Sequence, residues 1–264
     1  MKKKKIFKNF PIPSQTSIND KIFILKTINI LNKKLNTYKY LEIGSYLGGS
    51  LTPFLLDENC KKIFSIDKRE QCIADARNEL WNYKNITEND MLNTIKQLGL
   101  NYKKILCFNG DIKNFKSKDK FDLIFIDGEH TNVKCFEDFI YSENLIKKNS
   151  IIMFHDSSII HKALELILIH LKKKNFVFFK KNNSEMSAIF FGSYSKINHE
   201  KIYGKKDSIK KFFDKASDAL LLQQLENRIK IKFSLSRFIK NKPYYKFYFK
   251  NKKIKTPHEN SFIK

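Results

Sequence analysis

Apolar and polar positions alternate along the chain with two periods. From Asn19 to Asn36 the positions Ile22, Leu25, Ile28 and Leu35 recur at helical spacing, which predicts an amphipathic helix with Asn19 or Asp20 as its cap. The run that follows, Tyr38 to Ser50, is an apolar strand ending in Gly44, a turn holding Gly48 and Gly49, and Ser50 as the opener of a helix to about Asn59. KKIFSID is a second strand ending at Asp67. Helical patterns over Glu70–Tyr83 and Glu88–Leu98 lead to KKILCFNGD, a third strand. FDLIFIDGEH is the fourth, with an unbroken apolar run suited to burial on both faces. A helix over Phe136–Ile146 connects it to SIIMFHD, the fifth.

Strand and helix alternating in this way predict an α/β fold, a Rossmann-like, doubly wound, mostly parallel sheet with helices on both faces. After a helix over Ile159–Leu171, NFVFFKK and MSAIFFG are separated only by Asn182–Glu185. So short a link requires a hairpin, so the seven-stranded sheet finishes with an antiparallel strand. Three regions result: a basic arm and helix over 1–37, a core over 38–195, and a lysine- and aromatic-rich extension over 196–264. Pro11 and Pro13 block a helix in the arm, which reads as partly mobile. Asp207–Arg228 reads as a helix before the tail KPYYKFYFKNKK.

Composition changes this picture little. A hydrophobic fraction of 42% with 14% aromatic residues excludes a disordered chain. The formal charge of +24 invites a nucleic-acid partner, yet only four of the 51 basic residues are Arg, the residue favoured for bidentate recognition. An AT-rich genome accounts for much of the lysine, so nucleic acid is not the expected partner. The four cysteines are far apart without metal-ligand spacing, as in a reduced cytoplasmic protein. No apolar run approaches the about 18 residues of a membrane span. His161, His170, His199 and His258 read as surface residues, and the extension as a surface for the core, a homo-oligomer partner or a substrate.

The chemistry gathers at the strand ends. Glu42 and Gly44, Asp67, Asp111, Asp127 with Glu129 and His130, and His155 with Asp156 all fall there. So do five of the eight glycines, Gly44, Gly48, Gly49, Gly110 and Gly128. In an open parallel sheet ligands bind beyond the carboxyl ends of the strands. An acid after the second strand, Asp67, suits two vicinal ribose hydroxyls, and Asp111 suits an exocyclic adenine amine.

The series E-I-G-S-Y-L-G-G-S, S-I-D, N-G-D-I, F-I-D-G-E-H and I-M-F-H-D resembles the class I S-adenosylmethionine-dependent methyltransferases. The likeness is to the branch of catechol-type and small-molecule or sugar O-methyltransferases (family 24-like), over Tyr38–Gly192. It implies S-adenosylmethionine as cofactor, with Glu42, Gly44, Ser45, Tyr46, Gly48 and Ser50 around its methionine part. Asp67 would take the ribose, Asp111 with Ile112 the adenine, and Asp127 the amino group or the acceptor. Tyr46 and Leu47 depart from the most glycine-rich form of the first turn. His130 and His155 are the candidate bases beside Asp127. In metal-dependent members acids at the places of Asp127 and Asp156 hold Mg²⁺, although His155 stands where some relatives carry an acid. The expected activity is O-methylation of a small molecule or sugar. RNA methylation through the basic surface, or a non-catalytic binding protein of this fold, are the alternatives.

Overall fold

The computed structural model describes residues 6–69, 74–77 and 86–229. Its seven strands are β1 (Tyr38–Ile43), β2 (Cys60–Asp67), β3 (Ile105–Asn109), β4 (Phe121–Ile126), β5 (Ile146–Phe154), β6 (Phe176–Lys180) and β7 (Ser187–Phe191). They lie in the order β3-β2-β1-β4-β5-β7-β6. The first five are parallel, and β7 inserts antiparallel between β5 and β6. The strand order therefore reverses between β1 and β4, where a parallel sheet opens a crevice.

Alternate residues of each central strand enter two separate cores. Tyr38 and Tyr40 of β1, Leu123 and Phe125 of β4, and Ile151 and Met153 of β5 face one layer. Leu41 and Ile43, Ile124 and Ile126, and Ile152 and Phe154 face the other. Burial on both faces is why these strands read as continuous apolar runs. The edge strand β3 is less covered, and Leu106 is 47% exposed.

The first layer includes α1 (Ile18–Lys34), the short α2 (Thr52–Leu56) and α3 (Glu88–Gln97). Ser17, not Asn19 or Asp20, caps α1: its hydroxyl accepts from the Asp20 N–H, and Asp20 reaches back to the Ser17 N–H. This is a capping box, which Ser followed by an acid three residues on favours. The same device, Thr87 with Asp90, starts α3.

The second layer includes α4 (Asn132–Glu143), α5 (His161–His170) and α7 (Ile209–Ile229), while α6 (His199–Tyr203) lies over the first. Phe212 and Ala216 bury α7 against the second core, so the extension as far as this helix packs on the sheet layer. The helix expected over Glu70–Tyr83 falls largely outside the described residues, and the tail KPYYKFYFK and His258 wholly so.

The amino-terminal segment departs from the expected arm. Ile6, Phe10 and Ile12 are 1%, 4% and 3% exposed and belong to the first core. The Thr52 hydroxyl donates to the Asn9 carbonyl at 3.0 Å. A helical turn at Ile6–Asn9, closed by the Asn9 N–H on the Ile6 carbonyl at 3.0 Å, precedes the prolines, and the segment packs on the sheet layer rather than hanging free. Two histidines expected at the surface are also buried: His161 (2% exposed) lies 3.0 Å from the Ser158 carbonyl, and His199 (8%) packs on Phe190.

If the segment is part of the core, Phe10→Ala removes a buried ring at a cost of about 3 kcal/mol. The melting temperature then falls by about 6–12 °C. An unchanged melting curve would show that residues 6–17 do not contribute.

Candidate functional site

The crevice between β1 and β4 is set by an unusually close approach. Gly44 sits at φ +88°, and a Cβ there would lie 2.1 Å from the Asp127 carbonyl oxygen and 2.6 Å from the Gly128 Cα. Only glycine satisfies both the left-handed backbone and the contact. The ladder continues through it, with the Gly44 N–H on the Ile66 carbonyl at 2.8 Å and the Asp127 N–H on the Ile43 carbonyl at 2.9 Å. Three of the described non-glycine residues with positive φ are Tyr46 (+46°), Arg69 (+56°) and Asp156 (+48°). They follow β1, β2 and β5, and such backbone persists where the surroundings over-determine it, often at sites.

An open cleft lies here, walled by Gly44, Tyr46, Asp67, Asp111, Asp127 and His130, with Ile112 among its apolar lining. The Asp67 carboxylate holds the turn, accepting from the Tyr46 N–H at 2.6 Å and the Arg69 N–H at 3.0 Å. Each oxygen keeps a further lone pair for a ligand. Asp111 accepts from the Lys113 N–H at 3.1 Å and from the Lys134 ammonium at 2.8 Å on both oxygens. Burial pushes its carboxyl up, but Lys134 and the backbone donor outweigh that and hold it at about 2. It is an ionised acceptor at neutral pH.

Other residues read from the sequence lie beneath the cleft rather than along its wall. Strand alternation places Glu42 on the face of Tyr40, fully buried. It accepts from the Ser50 hydroxyl at 2.5 Å and from the Tyr40 hydroxyl. Ser50 therefore opens no helix: α2 begins at Thr52 after Leu51, without a side-chain cap. Ser45 is 2% exposed, and its hydroxyl has no hydrogen-bond partner. A Cβ on Gly48 would press on Met91 and Ile95 at 3.1 Å, and one on Gly49 would meet Ser14 and the Pro13 carbonyl at 2.7 and 2.8 Å. These glycines admit α3 and the amino-terminal segment.

The histidines divide. His155 is 7% exposed, with Nδ1 3.1 Å from Asp127 and Nε2 3.6 Å from Asp20. Burial disfavours its charge, but Asp127 and Asp156 outweigh burial and raise its pKa well above the usual value. His130 turns Nδ1 to Asp156 at 2.7 Å and borders the cleft. Its pKa is also raised, burial opposing and Asp156 prevailing.

Asp127, His130 and Asp156 offer ligand atoms within 4.8 Å of one another. Magnesium prefers an all-oxygen shell, and here one donor is an imidazole while His155 and His130 already neutralise the two carboxylates. Asp127 and Asp156 are the oxygen donors expected for Mg²⁺, and the imidazole of His130 is not a donor that ion favours.

Several charged residues of the cleft went unread in the sequence: Lys68, Arg69, Lys134 and Asp138. The spacing of Lys134 and Asp138 at i,i+4 is the one signal they left, and on a helix it ordinarily marks a solvated pair.

Burial raises the Glu42 carboxyl to about 8, against the bonds from Ser50 and Tyr40 that favour its anion. A carboxyl that is protonated when folded and ionised when unfolded makes stability fall as pH rises from about 4.5 to about 8. Glu42→Gln keeps the neutral group and removes that fall. Urea unfolding at pH 5 and pH 8 checks it: the variant's advantage grows with pH, and a constant difference contradicts the assignment.

Comparison with known proteins agrees with this architecture. Residues 41–157 match the model of a family described as "Methyltransferase domain" (methyltransferase family 24). The uncharacterized protein R132 of Acanthamoeba polyphaga mimivirus is 30% identical over 139 residues, 48% of this chain. The chain spans 58% of the length of that relative. Among solved structures, the O-methyltransferase NovP aligns with a TM-score of 0.51 at 10% identity, covering 66% of this chain and 78% of its own. The O-methyltransferase TomG from Streptomyces achromogenes, solved with SAM, aligns with a TM-score of 0.48 at 10% identity over 72% of this chain and 87% of its own. Residues 41–157 thus resemble the methyltransferase-domain family, and the strand order and the glycine crossing agree with that likeness.

Proposed function

We propose that this protein transfers a methyl group from S-adenosylmethionine to a hydroxyl of a small molecule or sugar. The observation that carries the reading is the convergence of Asp67, Asp111 and Asp127 on one cleft where strand order reverses, with the His130–Asp156 pair at its edge. The family match and the fold shared with the O-methyltransferase NovP support it. Among the described residues no helix is long and apolar enough to cross a membrane.

The residues suit a nucleoside. Asp67 keeps lone pairs for vicinal hydroxyls, Asp111 is an anionic acceptor for an amine, and Ile66 and Ile112 provide apolar walls. Bound S-adenosylmethionine supplies a methyl on a sulfonium, which an oxygen takes by in-line displacement. The chain aligns the acceptor and removes its proton.

His130 is the base in this reading. Its Nδ1–H points to Asp156, so the neutral ring keeps Nε2 as an acceptor, and the carboxylate stabilises the imidazolium formed when Nε2 takes the hydroxyl proton. His155 is enclosed by Asp127, Asp156 and Asp20, and its role is to hold Asp127 in place as a standing cation.

Calorimetry with S-adenosylhomocysteine tests the cofactor. The wild type binds, and Asp67→Ala weakens binding about tenfold or more through the lost acceptor and turn. No binding by the wild type would falsify the reading. Transfer of labelled methyl to a panel of hydroxylated small molecules and sugars tests the base: His130→Ala loses about 100-fold or more of kcat while retaining S-adenosylhomocysteine affinity. A variant of undiminished rate removes His130 from the chemistry.

A further inference from the structure

Lys134 is the cleft's least expected residue. It stands in the first turn of α4, its side chain is 12% exposed, and its ammonium meets both Asp111 oxygens at 2.8 Å and Asp138 Oδ1 at 3.0 Å. Asp138 lies one helical turn on, its side chain 1% exposed, directly under Gly128, where a Cβ would sit 3.4 Å from Oδ2. Burying an acid, a lysine and a second acid in series is costly, and apolar residues of the same size commonly give equal or better stability. A row of charges kept at such a place needs a use.

The geometry points to one: we propose that Asp138 and Lys134 are positioning residues that fix Asp111 as a hydrogen-bond acceptor and so set the cleft's selectivity for an adenine over a 6-oxopurine. The proposal rests on the adenosyl reading above and deepens it.

A carboxylate offers about four lone-pair sites. The Lys134 ammonium faces both Asp111 oxygens from the helix side, and the Lys113 N–H takes a further site on Oδ1. The site left is on Oδ2, approached at 3.3 Å by Lys68, whose side chain is 47% exposed. Lys68 also has Glu129 at 3.3 Å, so it has an alternative partner when it yields that place. An exocyclic amine entering there donates to an ionised acceptor. The carbonyl of a 6-oxopurine meets the same lone pair and is repelled. Burial disfavours the Lys134 ammonium, but Asp138 and Asp111 outweigh it and raise its pKa, and Asp138 Oδ1, 3.0 Å away, holds the ammonium where it grips Asp111.

A purely structural role for this row would weaken every nucleoside ligand alike. A positioning role changes the ratio between two. The experiment measures affinity for S-adenosylhomocysteine and for S-inosylhomocysteine by calorimetry in four proteins. These are the wild type, Lys134→Arg, Asp138→Asn, and the double variant Lys134→Met with Asp138→Asn, which removes Asp138's charge with its partner and leaves Asp111 with Lys68. Circular dichroism and melting curves establish folding.

The wild type is expected to favour the adenosyl ligand by about tenfold or more, the worth of one hydrogen bond to a charged group. Lys134→Arg keeps the preference, and the folded double variant drops to within about threefold. Should the double variant not fold, Asp138→Asn alone carries the test, with a ratio several-fold below wild type. A wild-type ratio in a folded variant, or no preference in the wild type, overturns the proposal. Failure of the wild type to bind either ligand instead overturns the adenosyl reading on which it rests.

Discussion

The whole site depends on one contact: the backbone of β1 at Gly44 running against the carbonyl of Asp127 at the end of β4. No side chain fits between them, since a Cβ would come within 2.1 Å. Because these two strands are neighbours with their crossovers on opposite sides, their ends splay into a crevice. The contact brings the groups after β1 and β4 to a common rim, and β2 and β5 add Asp67 and Asp156 on either side. Loosening it would move every acceptor at once.

Charge around this contact is arranged in two sets, each with one more carboxylate than cation. On one side Asp127, Asp156 and Asp20 surround His155, with His130 as the outer member. On the other, Asp111 and Asp138 enclose Lys134. Each set pairs buried carboxylates with cationic side chains, which fixes directions in space at the expense of desolvation. The first set also reaches α1 and the β6–β7 turn. Asp20 accepts from Ser184 Oγ at 2.5 Å and the Glu185 N–H at 3.0 Å, so the capping box of α1 and the reversed hairpin share a carboxylate with the site.

The sheet was legible in the sequence because strands buried on both faces leave unbroken apolar runs, and because the Asn182–Glu185 link is too short for anything but a hairpin. The rim was legible for a related reason: acids and glycines at strand ends serve few purposes in a core. What was not legible depended on the third dimension. Ile6, Phe10 and Ile12 are spaced among lysines and prolines and show no period, yet they cover the first layer. Glu42 sits in a row of strand-end acids but takes the face of Tyr38 and Tyr40, so it supports the turn from below. Lys134 and Asp138 resemble an exposed helical pair until the position of Asp111 is known. His130 and His155 share a residue type and a rim, and only burial separates them.

The central claim is that this rim grips an adenosyl group. A crystal structure of the protein with S-adenosylhomocysteine tests it most directly. The ribose hydroxyls are expected on Asp67, the adenine amine on Asp111 in the place Lys68 gives up, and the sulfur directed toward His130. An adenosyl group bound elsewhere, or one seated here without touching Asp67 and Asp111, would contradict it.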